Sequence, residues 1–134
     1  MPTIPWTEPQ TPEPDAQALV MASRFELRSL RQVPGFFLAS IAVWRQARRT
    51  PGAWGVALKA QLLRRTFWTL SAWSDKPALY GYANAEPHKS TMRRLRGAMR
   101  ESTFVYWEVP VSELPIDWAE AERRIAAERA AKAS

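Results

Sequence analysis

The reactive side chains of this chain are few: one histidine, three tyrosines, no cysteine, and a single acid set in an aromatic strand. His88 follows Pro87 at the start of a helical run. On that run His88, Met92, Leu95 and Met99 recur at spacings of four, three and four, which places them within roughly 60° around a helix axis. The imidazole therefore heads an apolar stripe and should point inward. Lys89, Arg93, Arg96 and Arg100 share the neighbouring stripe, which should meet water. A helix N-terminus already carries partial positive charge, and burial penalises the charged ring, so both effects favour neutral imidazole near pH 7. Neutral imidazole can be a general base, an axial ligand to haem iron, or a core group satisfied by backbone. Tyr82, on the short helix before His88, and Tyr106, on a later strand, carry hydroxyls that could orient a substrate oxygen. Glu108 alternates with Phe104 and Tyr106. On a cavity wall it would pair with an arginine or orient His88; facing solvent it would be a surface charge. With one histidine and no cysteine, zinc sites of the usual composition, disulfides and a cysteine nucleophile are excluded. There is no glycine-rich phosphate loop, nucleophile elbow or paired-carboxylate signature.

Seven tryptophans stand in 134 residues. Buried aromatics dominate core energetics, so structural packing accounts for many of them. The functional alternative is a pocket wall for a flat, hydrophobic or aromatic small molecule. Trp68, Trp73, Met92, Leu95, Phe104 and Tyr106 are the candidates for such a wall.

The formal charge of +6 is unevenly spread. The first basic residue is Arg24, and the preceding segment holds Glu8, Glu13 and Asp15. The basic body could attract nucleic acid, anionic lipid or an anionic substrate, with Arg93, Arg94, Arg96 and Arg100 as the contact group. No nucleic-acid-binding motif accompanies it, so nucleic acid is not an expected partner. No basic segment followed by an apolar run opens the chain, and the stretch Val33 to Trp44 is too short to span a bilayer. The expectation is a cytoplasmic protein without a membrane span.

These side chains need elements to hold them. Residues 1–17 contain five of the eleven prolines and should form an extended arm. Residues 18–134 read as one domain. Met21, Phe25 and Leu27 alternate with Arg24 and Glu26 as in a half-buried strand. Phe37, Ile41 and Trp44 follow with helical spacing, ending near Arg48-Arg49-Thr50-Pro51-Gly52. Strands are expected from Val56 to Leu62 and from Thr66 to Trp73, then a helix entered at Ser74-Asp75-Lys76-Pro77. The helical run from Pro87 should reach Met99, before a strand from Thr103 to Val111. Asp117 and Glu120 have capping-box spacing ahead of a C-terminal helix. The order strand, helix, strand, strand, helix, strand is that of the ferredoxin-like α+β fold, with an extra C-terminal helix. Helices on one face would leave the other bare, and a homodimer is the simplest cover.

The run Phe67-Trp68-Thr69-Leu70-Ser71-Ala72-Trp73-Ser74-Asp75, then Ala78-Leu79, Tyr82 and Pro87-His88, resembles the dimeric α/β-barrel superfamily. Within it the segment is similar to antibiotic-biosynthesis-monooxygenase-like and spheroidene-monooxygenase-like members, best over residues 66–108. The resemblance implies two facing sheets in a dimer and a pocket between each sheet and its helices. Members include cofactor-free oxygenases of polycyclic aromatics, haem-dependent enzymes and proteins with no known activity. The Asn/Trp/His pattern of small haem-degrading members is not clearly reproduced. The resulting expectation is a small-molecule monooxygenase or related tailoring enzyme centred on His88, with Tyr82 and Glu108 as further catalytic candidates and either no cofactor or haem. The alternative is a non-catalytic dimeric barrel that binds a hydrophobic ligand.

Overall fold

A computed structural model describes residues 3–133. Five antiparallel strands form one sheet in the order β1-β3-β4-β2-β5. The chain runs β1 (Thr3–Thr7), β2 (Gln17–Leu27), α1 (Val33–Arg48), β3 (Ala53–Gln61), β4 (Thr66–Trp73), α2 (Lys76–Asn84), α3 (His88–Leu95), β5 (Met99–Pro110) and α4 (Trp118–Ala133). The ferredoxin-like order holds from β2 to β5. To it the proline-rich segment adds β1, which pairs with β3 at the sheet edge. Trp6 explains that attachment. Its indole lies where a side chain on residue 55 would be, and only glycine there leaves the room.

Strand alternation sorts the core into two faces. Leu19, Phe25 and Leu27 of β2 pack with Val56, Phe67, Trp73 and residues of α1, α2 and α3. Ala18, Val20 and Ala22 pack with Trp54, Ala57, Leu70, Ala121 and Ile125 on the side of α4. The face expected to be bare is thus covered within the chain, by α4, Trp6 and Trp118. This corrects the packing argument for a dimer: an intrachain helix does the covering that a partner subunit was expected to do.

Three local readings also change. The run from Pro87 does not stay helical to Met99; α3 ends at Leu95, a single turn spans 96–98, and Met99 opens β5 opposite Leu27. Gly97 in that turn is a poor helix former, and β5 gains ladder bonds by starting early. Between β3 and β4 the turn at 62–64 closes through Arg65 at φ 57°. At α4 the Asp117 carboxylate caps Ala119 N–H at 3.2 Å. Glu120 does not complete a capping box, because Arg123 and Arg124 bind its carboxylate instead.

Candidate functional site

The α1–α3 face encloses a cavity of about 200 Å³ between the sheet and the three helices. The strands present Met21, Phe25, Val56, Leu58 and Trp73, and the helices present Phe36, Val43, Trp44, Leu79, Met92 and Leu95. Strand register dictates this. Phe104 lies opposite Ser23 and Tyr106 opposite Met21, so β5 directs both aromatics to the same side as the cavity residues of β2. Phe104, Tyr80 and Tyr106 are exposed and form the rim. Burial, and then the neighbouring Tyr80, hold the Tyr106 phenol above its ordinary pKa.

Most polar groups on this wall are already engaged. Ser23 and Thr69 hydroxyls bond each other across β2 and β4. Trp73 Nε1–H donates to Ser71 Oγ at 2.8 Å, and Ser40 Oγ donates to Phe36 O at 2.9 Å. The Tyr82 hydroxyl donates to Val43 O at 3.4 Å, and burial raises its pKa far above the usual phenol value.

His88 is different. As the first residue of α3, its backbone N–H donates to Gln46 Oε1 at 2.6 Å. Gln46 also donates to Tyr82 O at 2.9 Å, so α1 clamps the segment that carries the imidazole. The ring packs at a tilt against Tyr82, with centroids 4.7 Å apart, and Tyr82 lies 4.9 Å from Trp73. Its Nδ1 sits 3.0 Å from Ala83 O. A carbonyl only accepts, so Nδ1 carries the hydrogen and Nε2 of the neutral ring keeps its lone pair. Among the described residues Nε2 has no hydrogen-bond partner. Burial lowers the His88 pKa below 6.5, opposed in part by the bond to Ala83. The ring is therefore neutral at pH 7 and offers one basic nitrogen in largely apolar surroundings.

The cavity brings together His88, Tyr82, Trp73, Met92, Leu95, Phe104 and Tyr106. It leaves out two candidates. Trp68 belongs to the α4 face, with Arg24 at 5.4 Å and Lys59 at 5.0 Å from its ring. One position along a strand reverses the face, and Trp68 is odd to Trp73. Glu108 is exposed opposite Leu19, beyond the cavity, and meets neither His88 nor an arginine among the described residues. Gln46 and Ala83 were not legible as site residues. A glutamine two positions after Trp44 reads as helix surface, and a backbone carbonyl has no sequence signal at all.

Haem does not fit this donor set. No Lys or Arg lines the cavity to meet the propionates. Nor do the described residues hold a group of three His, Asp or Glu suited to a metal ion. No helix among them is long and apolar enough to cross a membrane.

The family model described as "Domain of unknown function (DUF3291)" matches residues 14–133. No curated protein matches the chain. Among solved structures, a provisionally titled antibiotic biosynthesis monooxygenase from Nitrosomonas europaea superposes with TM-score 0.64 at 13% identity, covering 75% of this chain and 94% of that one. A cofactor-independent oxygenase from Streptomyces nogalater, solved as a mutant, gives 0.56 at 14%, covering 67% and 90%. A dimeric ferredoxin-like protein of unknown function from Thermobifida fusca gives 0.60 at 12%, covering 72% and 95%. At these identities the likeness establishes the fold, which is that of the antibiotic-biosynthesis-monooxygenase-like proteins.

Proposed function

The chain belongs to the DUF3291 family, a domain of unknown function, and from that premise we propose that it is a cofactor-free oxygenase of flat aromatic substrates with His88 as general base. The observation that carries this reading is the bond from His88 Nδ1 to Ala83 O, which leaves Nε2 as an unengaged base on the wall of an apolar cavity. An electron-rich phenol or activated C–H gives its proton to Nε2. The resulting carbanion or phenolate passes one electron to dioxygen. The radical pair joins through a new C–O bond, and the peroxide anion recovers the proton from imidazolium. Exclusion of water by the apolar wall preserves the anion long enough for that step. Tyr82 positions the imidazole by ring packing, and Gln46 positions it through the backbone. The likeness to an oxygenase described as cofactor-independent supports the reading.

The test is dioxygen uptake with a panel of polycyclic phenols and anthrone-type ketones. His88→Ala is expected to lower kcat about 10²–10⁴-fold while a fluorescent aromatic ligand still binds. Binding with no turnover in either protein would favour the hydrophobic-ligand carrier. Unchanged turnover in His88→Ala removes the base assignment. A homodimer is also proposed, supported by the likeness to the Thermobifida fusca protein and by β5, which forms one outer edge of the sheet. A monomer by light scattering at micromolar concentration overturns it.

A further inference from the structure

One end of the sheet gathers three short segments. β2 ends at Leu27, β3 ends at Gln61, β4 starts at Thr66 and β5 starts at Met99, and these termini are paired with one another. The segments beyond them, 28–32, 62–65 and 93–98, are therefore neighbours. Leu27 N–H donates to Arg65 O at 2.8 Å, Arg28 N–H to Ala98 O at 3.0 Å, and Arg28 Nε to Gly97 O at 3.1 Å. These segments contain seven arginines and no acidic residue. Arg28, Arg31, Arg64 and Arg96 are all exposed, and none of them has an ion pair among the described residues. Glu26 and Glu101, near this end of β2 and β5, are engaged by Arg24, Arg100 and Arg129. Set among the free cations are two leucines with little to touch. Leu63, at the tip of the β3–β4 turn, is 90% exposed, and Leu30 is 53% exposed.

We infer that this end of the molecule docks on an anionic lipid surface, with the arginines on the headgroups and Leu63 and Leu30 inserted between them. Clustered arginines are attracted to a negatively charged leaflet, and apolar side chains beside them gain by leaving water at the headgroup boundary. The leucines decide between polyanions. A nucleic-acid backbone would engage the arginines but offers nothing to an exposed leucine at a turn tip, and this end presents no exposed aromatic for base stacking. The site also borders the cavity. Phe36, Met92 and Leu95 line the cavity and belong to the apolar cluster that includes Leu27, Leu62 and Met99 at this same end. A membrane-dissolved ligand would thus be met close to its binding space, although the docking surface itself stands whether or not the protein is an oxygenase.

The experiment is co-sedimentation of the full chain with sucrose-loaded vesicles of phosphatidylcholine alone or mixed with phosphatidylserine, at low and high sodium chloride. Binding is expected only to the mixed vesicles, falling with salt. Arg64→Gln and Arg96→Gln should each weaken it about fivefold. Leu63→Ser should weaken it several-fold without changing its salt dependence, because it removes insertion and no charge. All three positions are exposed, and an unchanged melting temperature confirms that the fold is intact. Failure to bind the mixed vesicles at low salt overturns the proposal. Binding of duplex DNA that equals vesicle binding, with Leu63→Ser neutral toward both, also overturns it, leaving a non-specific polyanion surface. Oxygen uptake is not read in this experiment, so its failure leaves the His88 assignment standing.

Discussion

On one side of the sheet, apolar side chains of β2, β3 and β4 meet three helices across a gap of about 200 Å³ lined in part by His88. On the other side, a closed apolar cluster that includes Val20, Leu70 and Ile125 is flanked by cations. Lys59 lies 5.0 Å from the Trp68 ring and 4.9 Å from Trp118, and Arg124 lies 4.4 Å from Trp107. Arg24, Glu101 and Arg129 form a chain of ion pairs between sheet and α4, and Lys59 reaches Glu122. The same strands supply both faces, so the difference comes from what covers them. Three helices on bulky apolar residues leave a void that a ligand could occupy. A single helix that buries little more than Ala121 and Ile125 is seated by long side chains whose stems cover indole rings. The first arrangement favours small-molecule binding, and the second closes a surface.

The largest test of this contrast is Trp73→Ala. Trp73 is fully buried beside Tyr82, so truncation should destabilise the fold by about 3–5 kcal/mol in urea denaturation and disturb His88 with it. On the α4 face the strongest lever is Gly55→Ala. Its Cβ would meet the Trp6 ring at 1.9 Å, forcing the indole off the sheet at a cost of about 1–3 kcal/mol. Release of the N-terminal segment should show as faster amide exchange in β1 while β2 stays protected.

Protonation separates the faces in a different way. The folded pKa of His88 lies below its unfolded value near 6.5, so the unfolded chain binds more protons as the pH falls. The stability associated with the neutral ring is complete above that value and is lost as pH drops through the folded pKa. His88→Gln should remove this part of the pH dependence, while Lys59→Met should not. Glu122→Ala should cost less than about 1 kcal/mol, since that carboxylate is substantially exposed and its ion pair is screened. The smallest expected effect is a gain. Gly81 lies within α2 with open space where a Cβ would stand, so Gly81→Ala should add about 0.4–1 kcal/mol, read as a higher Tm.

How much of this was legible depends on the range of the interaction. Periodicity located β2, α1 and β3, strand-forming composition located β4, and capping-box spacing located the start of α4. Periodicity overran at Met99, where the choice between another helical turn and a β-ladder depends on Leu27, a residue distant in sequence. His88 was legible as an inward-facing neutral ring because helix position and apolar spacing are local. Trp68 was not separable from Trp73 by composition, and their opposite faces follow from register. The close approach of Trp6 to Gly55 was not read from the sequence, because nothing local names the group that approaches.

By itself the sequence determined the element order from β2 to α4, the absence of cysteine chemistry, the basic body and the inward stripe headed by His88. These depend on residue types and spacings within one element. The tertiary structure alone decided that α4 covers the second face, that Ala83 O sets the imidazole tautomer, that Trp68 and Glu108 lie away from the cavity, and that arginines from three separate segments share one end. Each of those is a contact between residues far apart in the chain, and the energy that selects it comes from packing and register across elements, which no local pattern encodes.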